Sequence, residues 1–136
     1  TEPTAGTERL DDLAAYLRRA GVDVALDTGG YDRAAVPAFV DVALYGIARE
    51  AATNIVRHAG AHAATIRLAT GPTGANLSVE DDGRGAAAET DGRGHGIAGM
   101  AERVGLLGGT FAAGPRPRGG FRVEARIPLG AEKEAS

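Results

Sequence analysis

The sequence predicts an α+β two-layer sandwich, with about three helices covering one face of a sheet. Three observations point there. Alternating apolar segments, such as Ala64-Ile66-Leu68 and Leu77-Val79, are joined by a short turn at Gly71-Pro72-Thr73-Gly74. Helical patterns between the strands carry their apolar residues on one side, so all can pack on the same sheet face. The opposite sheet positions, Thr65, Arg67, Ser78, Glu80, Arg122, Glu124 and Arg126, are polar and mark a face turned to water.

The elements follow in order. Residues 1–6 read as a frayed leader. Thr7 can cap a helix over residues 8–20, which presents Leu10, Leu13, Ala14 and Leu17 on one face and stops at Gly21. Val22, Val24 and Leu26 predict a strand ending at Thr28-Gly29-Gly30. A longer helix is predicted over residues 36–58, with Gly60 as its stop. The two hairpin strands come next, then a glycine-rich loop over residues 82–96. Ile97, Met100, Ala101, Val104 and Leu107 predict a helix ended by Gly108-Gly109. Residues 110–113 form a short strand, residues 114–120 a loop, and Phe121, Val123, Ala125 and Ile127 the last strand. The acidic residues 130–136 read as a disordered tail, leaving one domain over residues 7–129.

The 136 residues suffice for one core, but Leu, Ile, Val and Phe number only 27 against 28 alanines. The core must be small, aliphatic and closely layered. The absence of cysteine excludes disulfides, thiolate metal sites and a cysteine nucleophile. A net charge of −3 with no basic run gives nothing to hold a nucleic-acid backbone. No apolar stretch approaches the roughly 20 residues of a membrane span. Lys133 is the only lysine, and its place in the tail excludes a Walker-type phosphate loop.

Three places break the structural pattern. Glu50, Asn54 and His58 form one stripe at i, i+4 and i+8, beside the apolar stripe Ile47-Ala51-Ile55. A solvated helix edge accounts for it, and so does a pair of oxygen ligands for magnesium or an ordered water. Asp81 shares a strand face with Leu77 and Val79. It either bonds local backbone N–H groups before Gly83 or accepts an N–H from a ligand. Gly92-Arg93-Gly94-His95-Gly96-Ile97-Ala98-Gly99 leads into a helix, where backbone N–H groups attract phosphate. No strand precedes it, so it does not read as a dinucleotide fingerprint.

Together, Glu50-x-x-x-Asn54, Asp81-x-Gly83-x-Gly85 and Gly94-x-Gly96 resemble the GHKL, or Bergerat-fold, ATPases. The stretches around residues 44–59 and 94–109 are similar to the catalytic ATP-binding domain of bacterial sensor histidine kinases of the nitrate-sensor and thermosensor class, which has a short ATP lid. The resemblance implies a mixed, mostly antiparallel sheet and ATP and Mg2+ as cofactors. It implies that Asn54 holds the magnesium bridging the phosphates, and that Glu50 is the catalytic residue, orienting a water or managing the transferred proton. Asp81 would accept the adenine amino group, with Gly83 and Gly85 making room for the base. Gly94, His95, Gly96 and the helix from Ile97 would face the phosphates, with Arg57 and His58 beside them. His58 reads equally well as a helix-end residue. Phe121 stands where the family often carries Thr, removing one hydroxyl contact to the base.

The expected function is positioning Mg-ATP for phosphoryl transfer to a histidine on a dimerisation domain, with a response regulator downstream. No histidine in this chain sits on such an acceptor helix, so the fragment is not expected to phosphorylate itself. It is expected to be monomeric or weakly associating. The expected location is cytoplasmic, with a membrane sensor as one tether outside the fragment. The alternatives on the same fold are a serine kinase of the anti-sigma-factor type and a nucleotide-binding module without catalysis.

Overall fold

The computed structural model describes residues 5–83 and 93–129. Its elements run α1 (Leu10–Arg19), β1 (Asp23–Gly30), α2 (Ala38–Asn54), β2 (Ala63–Gly71), β3 (Gly74–Asp81), α3 (Arg93–Leu106), β4 (Thr110–Pro115) and β5 (Phe121–Ile127). The strands form one five-stranded sheet in the order β1-β2-β3-β5-β4. Among the described strands only β1 and β2 pair in parallel, so the sheet is mixed and mostly antiparallel, as expected. A parallel pair needs a crossover, and α2 supplies it.

The core lies between the three helices and one sheet face. Leu17, Leu44, Ile47, Ile66, Leu77 and Met100 are fully buried in it. Alanines let the layers approach closely: Ala48, Ala52, Ala75 and Ala125 are also fully buried. Across the other face the strand register aligns Arg67 with Ser78, Ser78 with Glu124, and Glu80 with Arg122. Arg122 lies 3.3 Å from Glu80 and 3.4 Å from Glu124, and Arg126 donates to Asn76 at 2.8 Å. That face is polar and open, as its sequence requires.

Several boundaries differ from the sequence expectation, and β4 runs to Pro115 rather than ending at residue 113. Thr7 does not cap α1: a 3-10 turn, Thr7–Arg9, precedes the helix without a side-chain cap, and the Thr7 hydroxyl donates to Asp41 instead. Gly6, assigned to the leader, is buried, and a Cβ there would collide with the Asp41 carboxylate. The second helix starts at Ala38 because Pro37 caps it and forces Val36 into an extended conformation. Its last turn, Ile55–Ala59, is a π-helix, closed at Gly60 with φ 60° as the left-handed stop. The third helix starts at Arg93 rather than Ile97. Glycine's poor helix propensity put the start too late, and tertiary contacts at Gly96 override that propensity.

Candidate functional site

Three chain segments converge at one end of the sandwich. The last turns of α2 bring Asn54, 8% exposed, and the half-buried Glu50. The first turn of α3 lies against them. A Cβ placed on Gly96 would come within 2.5 Å of Glu50 Oε2 and 3.5 Å of Asn54 Nδ2. A side chain on Gly96 would displace the Glu50 carboxylate and lie in contact with Asn54, so the first turn of α3 sits directly beside both. This contact joins the first and third sequence breaks.

The second break joins through a small cavity. Asp81, 3% exposed, lines it together with Asn54, Ala51, Ile55, Val79, Phe121 and Val123, around about 10 Å³. That volume is about one water. The local turn bond expected of Asp81 is present. Its Oδ1 accepts the Gly83 N–H at 2.8 Å, while Asp81 also lines the cavity together with Asn54. Asp82 points the other way and is exposed. It accepts from the N–H groups of His62 at 2.8 Å and Ala63 at 3.0 Å, fastening the end of β3 to the start of β2. The Ala63 N–H first, and then the His62 N–H, hold the Asp82 carboxyl below the usual range against a smaller opposing effect of burial.

The remaining expected residues fall as follows. Arg57 is exposed and His58 half-buried, both in the π-turn. The wider π spacing takes His58 off the strict α stripe of Glu50 and Asn54. Gly94 and His95 lie in the first turn of α3, where backbone N–H groups have no intrahelical acceptor. Ile97 lies beyond that turn, and its side chain packs on the core. Gly85, and residues 84–92 of the expected glycine-rich loop, lie outside the described residues.

Sequence reasoning missed two groups. The first is Asp41 on α2, which accepts from the Thr7 N–H at 3.0 Å, the Thr7 hydroxyl and the Tyr31 hydroxyl, with Arg33 at 3.6 Å. The signal was available, since Asp41 shares the core-facing stripe of Leu44 and Ala48. The second is the β4–β5 turn. Arg116 donates to the Asp81 carbonyl at 2.8 Å, and Gly120, at φ 93°, leaves no room for a Cβ beside that same carbonyl. No local pattern announces a contact between residues this far apart.

The family described as histidine kinase-, DNA gyrase B- and HSP90-like ATPase matches residues 40–131, which contain Glu50, Asn54, Asp81 and Gly96. The chain belongs to this family. Within the GHKL, or Bergerat-fold, ATPases, it is homologous to the ATP-binding domains of sensor histidine kinases. It is 33% identical over 130 residues to the sensor histidine kinase YxjM of Bacillus subtilis, covering 95% of this chain and 32% of that one. It is 35% identical over 130 residues to the histidine-protein kinase/phosphatase UhpB of Salmonella typhimurium, covering 88% and 26%. The chain thus spans about a third or less of these relatives. Among solved structures, the ATP-binding domain of PrrB from Mycobacterium tuberculosis superposes with a TM-score of 0.63 at 25% identity, covering 90% of this chain and 93% of that one. The blue-light activated histidine kinase of Erythrobacter litoralis EL346 shares the fold, with a TM-score of 0.71 at 22% identity, covering 93% and 42%.

Proposed function

We propose that this chain is the catalytic ATP-binding domain of a two-component sensor histidine kinase. It would hold Mg-ATP so that the γ-phosphoryl passes to a histidine on a dimerisation domain outside these residues. A response regulator would then receive the phosphoryl group. The domain would act in the cytoplasm.

The observation that carries this reading is the packing of Gly96 against Glu50 and Asn54, with Asn54 and Asp81 lining one cavity. A base-reading carboxylate, an amide ligand and a phosphate-facing helix start meet at one end of the sheet. Asn54 suits magnesium, which takes oxygen donors and commonly only one or two from protein, the rest coming from phosphate and water. Among the described residues no group of three His, Asp or Glu side chains forms an all-protein cage. Asn54 and the nucleotide's own oxygens would therefore hold the ion. When bound, magnesium supplies charge neutralisation among the phosphates.

The chain's own residues do the rest. Asp81 accepts the adenine amino group, and Gly83 and Gly85 leave bare backbone for the base. Gly94 and His95 offer N–H groups to phosphate oxygens, with Arg57 and His58 adjoining. Glu50 holds a water or the acceptor's proton beside Gly96. No covalent nucleophile is needed, because phosphoryl transfer is catalysed mainly by positioning and charge stabilisation.

The test is labelled Mg-ATP with this chain alone and with an added dimerisation domain bearing a histidine. Expected is nucleotide binding in both, and an alkali-stable, acid-labile phosphate on the added domain only. Phosphate on this chain alone, or on a serine of a protein partner, overturns the reading.

A further inference from the structure

We propose that Arg116, in the β4–β5 turn, is a positioning residue for Asp81 and through it sets the preference of the site for adenine over guanine. The proposal rests on the ATP-site reading above, and adds a residue that lies outside the pocket.

Asp81 is the last residue of β3, where pairing to its neighbours stops. It stands level with Phe121 of β5, which in turn pairs with Pro115 of β4. The chain then turns tightly: the Arg116 N–H donates to Gly120 O at 2.9 Å, and the Gly119 N–H to Arg116 O at 3.0 Å. From this turn the Arg116 guanidinium reaches back to the Asp81 carbonyl at 2.8 Å and lies 3.9 Å from the Glu80 carboxylate. Glu80 belongs to the polar sheet face, so the guanidinium sits there while the cavity opens on the core side. Arg116 therefore does not line the cavity; it acts through the backbone.

The Asp81 peptide is held from two further directions. Gly120 packs directly on the same carbonyl, at φ 93°, where a side chain would collide with it. The Gly83 N–H fixes Oδ1. A charged donor on the main chain, a glycine seat and a turn bond on the side chain together fix where the carboxylate stands. That fixity matters for base choice. A carboxylate accepts hydrogen bonds and cannot donate them, so it meets adenine's amino group well and guanine's carbonyl badly. A carboxylate allowed to swing can turn away from the carbonyl, and the discrimination falls. Arginine suits the task because its planar fork donates to the carbonyl while its charge lies near Glu80, whereas lysine offers a single point.

The experiment is calorimetric titration of Mg-ATP and Mg-GTP into wild type, Arg116→Ala, Arg116→Lys and the control Arg118→Ala, an exposed arginine in the same turn. Arg116→Ala is expected to weaken ATP about 5- to 10-fold and to narrow the ATP/GTP ratio by about threefold or more. Arg116→Lys recovers part of the ratio, and Arg118→Ala matches wild type. If the alanine variant fails to fold, Arg116→Gln reads the same ratio. An unchanged ratio in the Arg116 variants overturns the proposal, including the case where both affinities drop equally, which marks a general attraction for phosphate. Should wild type bind neither nucleotide, the ATP reading itself fails; wild-type ATP preference with an unaltered variant ratio sinks only the role of Arg116.

Discussion

Asp41, near the start of α2, and Asp81, at the end of β3, are each 3% exposed, and the fold treats them differently. Asp41 is enclosed by donors from the chain entrance, from the segment after β1 and from Arg33. Every contact joins one part of the fold to another. Asp81 gives one oxygen to its own turn, is gripped through its backbone by Arg116, and lines a cavity with Asn54. A buried carboxylate that ties elements together contributes to stability. One held rigid at a cavity wall is placed for something that enters. Burial alone does not distinguish them, but the direction of their contacts does.

The largest expected effect comes from removing the seat beneath Asp81. Gly120→Ala puts a side chain at φ 93° and against the Asp81 carbonyl, which should cost roughly 3 kcal/mol or more through backbone strain and overpacking. Denaturant unfolding measures it. A near-native midpoint would mean that the turn yields freely and that Asp81 is less rigid than the comparison requires.

The two carboxylates should then separate cleanly. Asp41→Asn should lower stability by about 1.5–3 kcal/mol, the worth of hydrogen bonds to a charged group, and leave nucleotide affinity near wild type. Asp81→Asn should do the reverse. An amide can donate, so it should weaken ATP by about 5- to 150-fold and narrow the gap to GTP with little change in the unfolding midpoint. Paired unfolding and calorimetric titrations decide. If Asp41→Asn also loses nucleotide, the helix carries strain from one end to the other and the contrast between the two ends fails.

Much of this was legible before the structure. The sheet face, the hairpin and the stops at Gly60 and Gly108 follow from period and glycine placement, because each depends on neighbours in sequence. Glu50 and Asn54 were visible as a polar stripe bordering an apolar one, and Asp81 as a carboxylate on an apolar strand face. The start of α3 was not, because Gly96 lies against Glu50 and Asn54 of α2, about 45 residues away in sequence. The π-turn was hidden for a related reason: its residues carry an ordinary helical pattern, and only the ladder of bonds reveals the wider spacing. Arg116 was read as part of a loop, and only strand register brings it to Asp81. Asp41 is the instructive omission. It broke its stripe as Asp81 did, but no glycine motif drew attention to it.

The smallest expected effect is a pH dependence confined to Asp41. Burial on its own would raise the Asp41 carboxyl, but the bonds from Thr7 and Tyr31, and then the charge of Arg33, outweigh it and hold it below the ordinary value. A carboxyl depressed in the folded state binds its proton more readily when unfolded. Its contribution to stability is therefore complete above the unfolded value, about 3.9, and is lost as pH falls through the lower folded value. Asparagine has no such group to titrate. The stability gap between wild type and Asp41→Asn should stay level from about pH 7 to 5 and shrink below about pH 4. The Tyr31 hydroxyl does not disturb this window, since burial first, and then its bond to Asp41, push it up and away from neutrality. Urea unfolding of both proteins across that range measures the gap. A gap that holds level or widens down to about pH 3 would mean that the donors around Asp41 do not favour its charge, and that its place in the fold rests on shape alone.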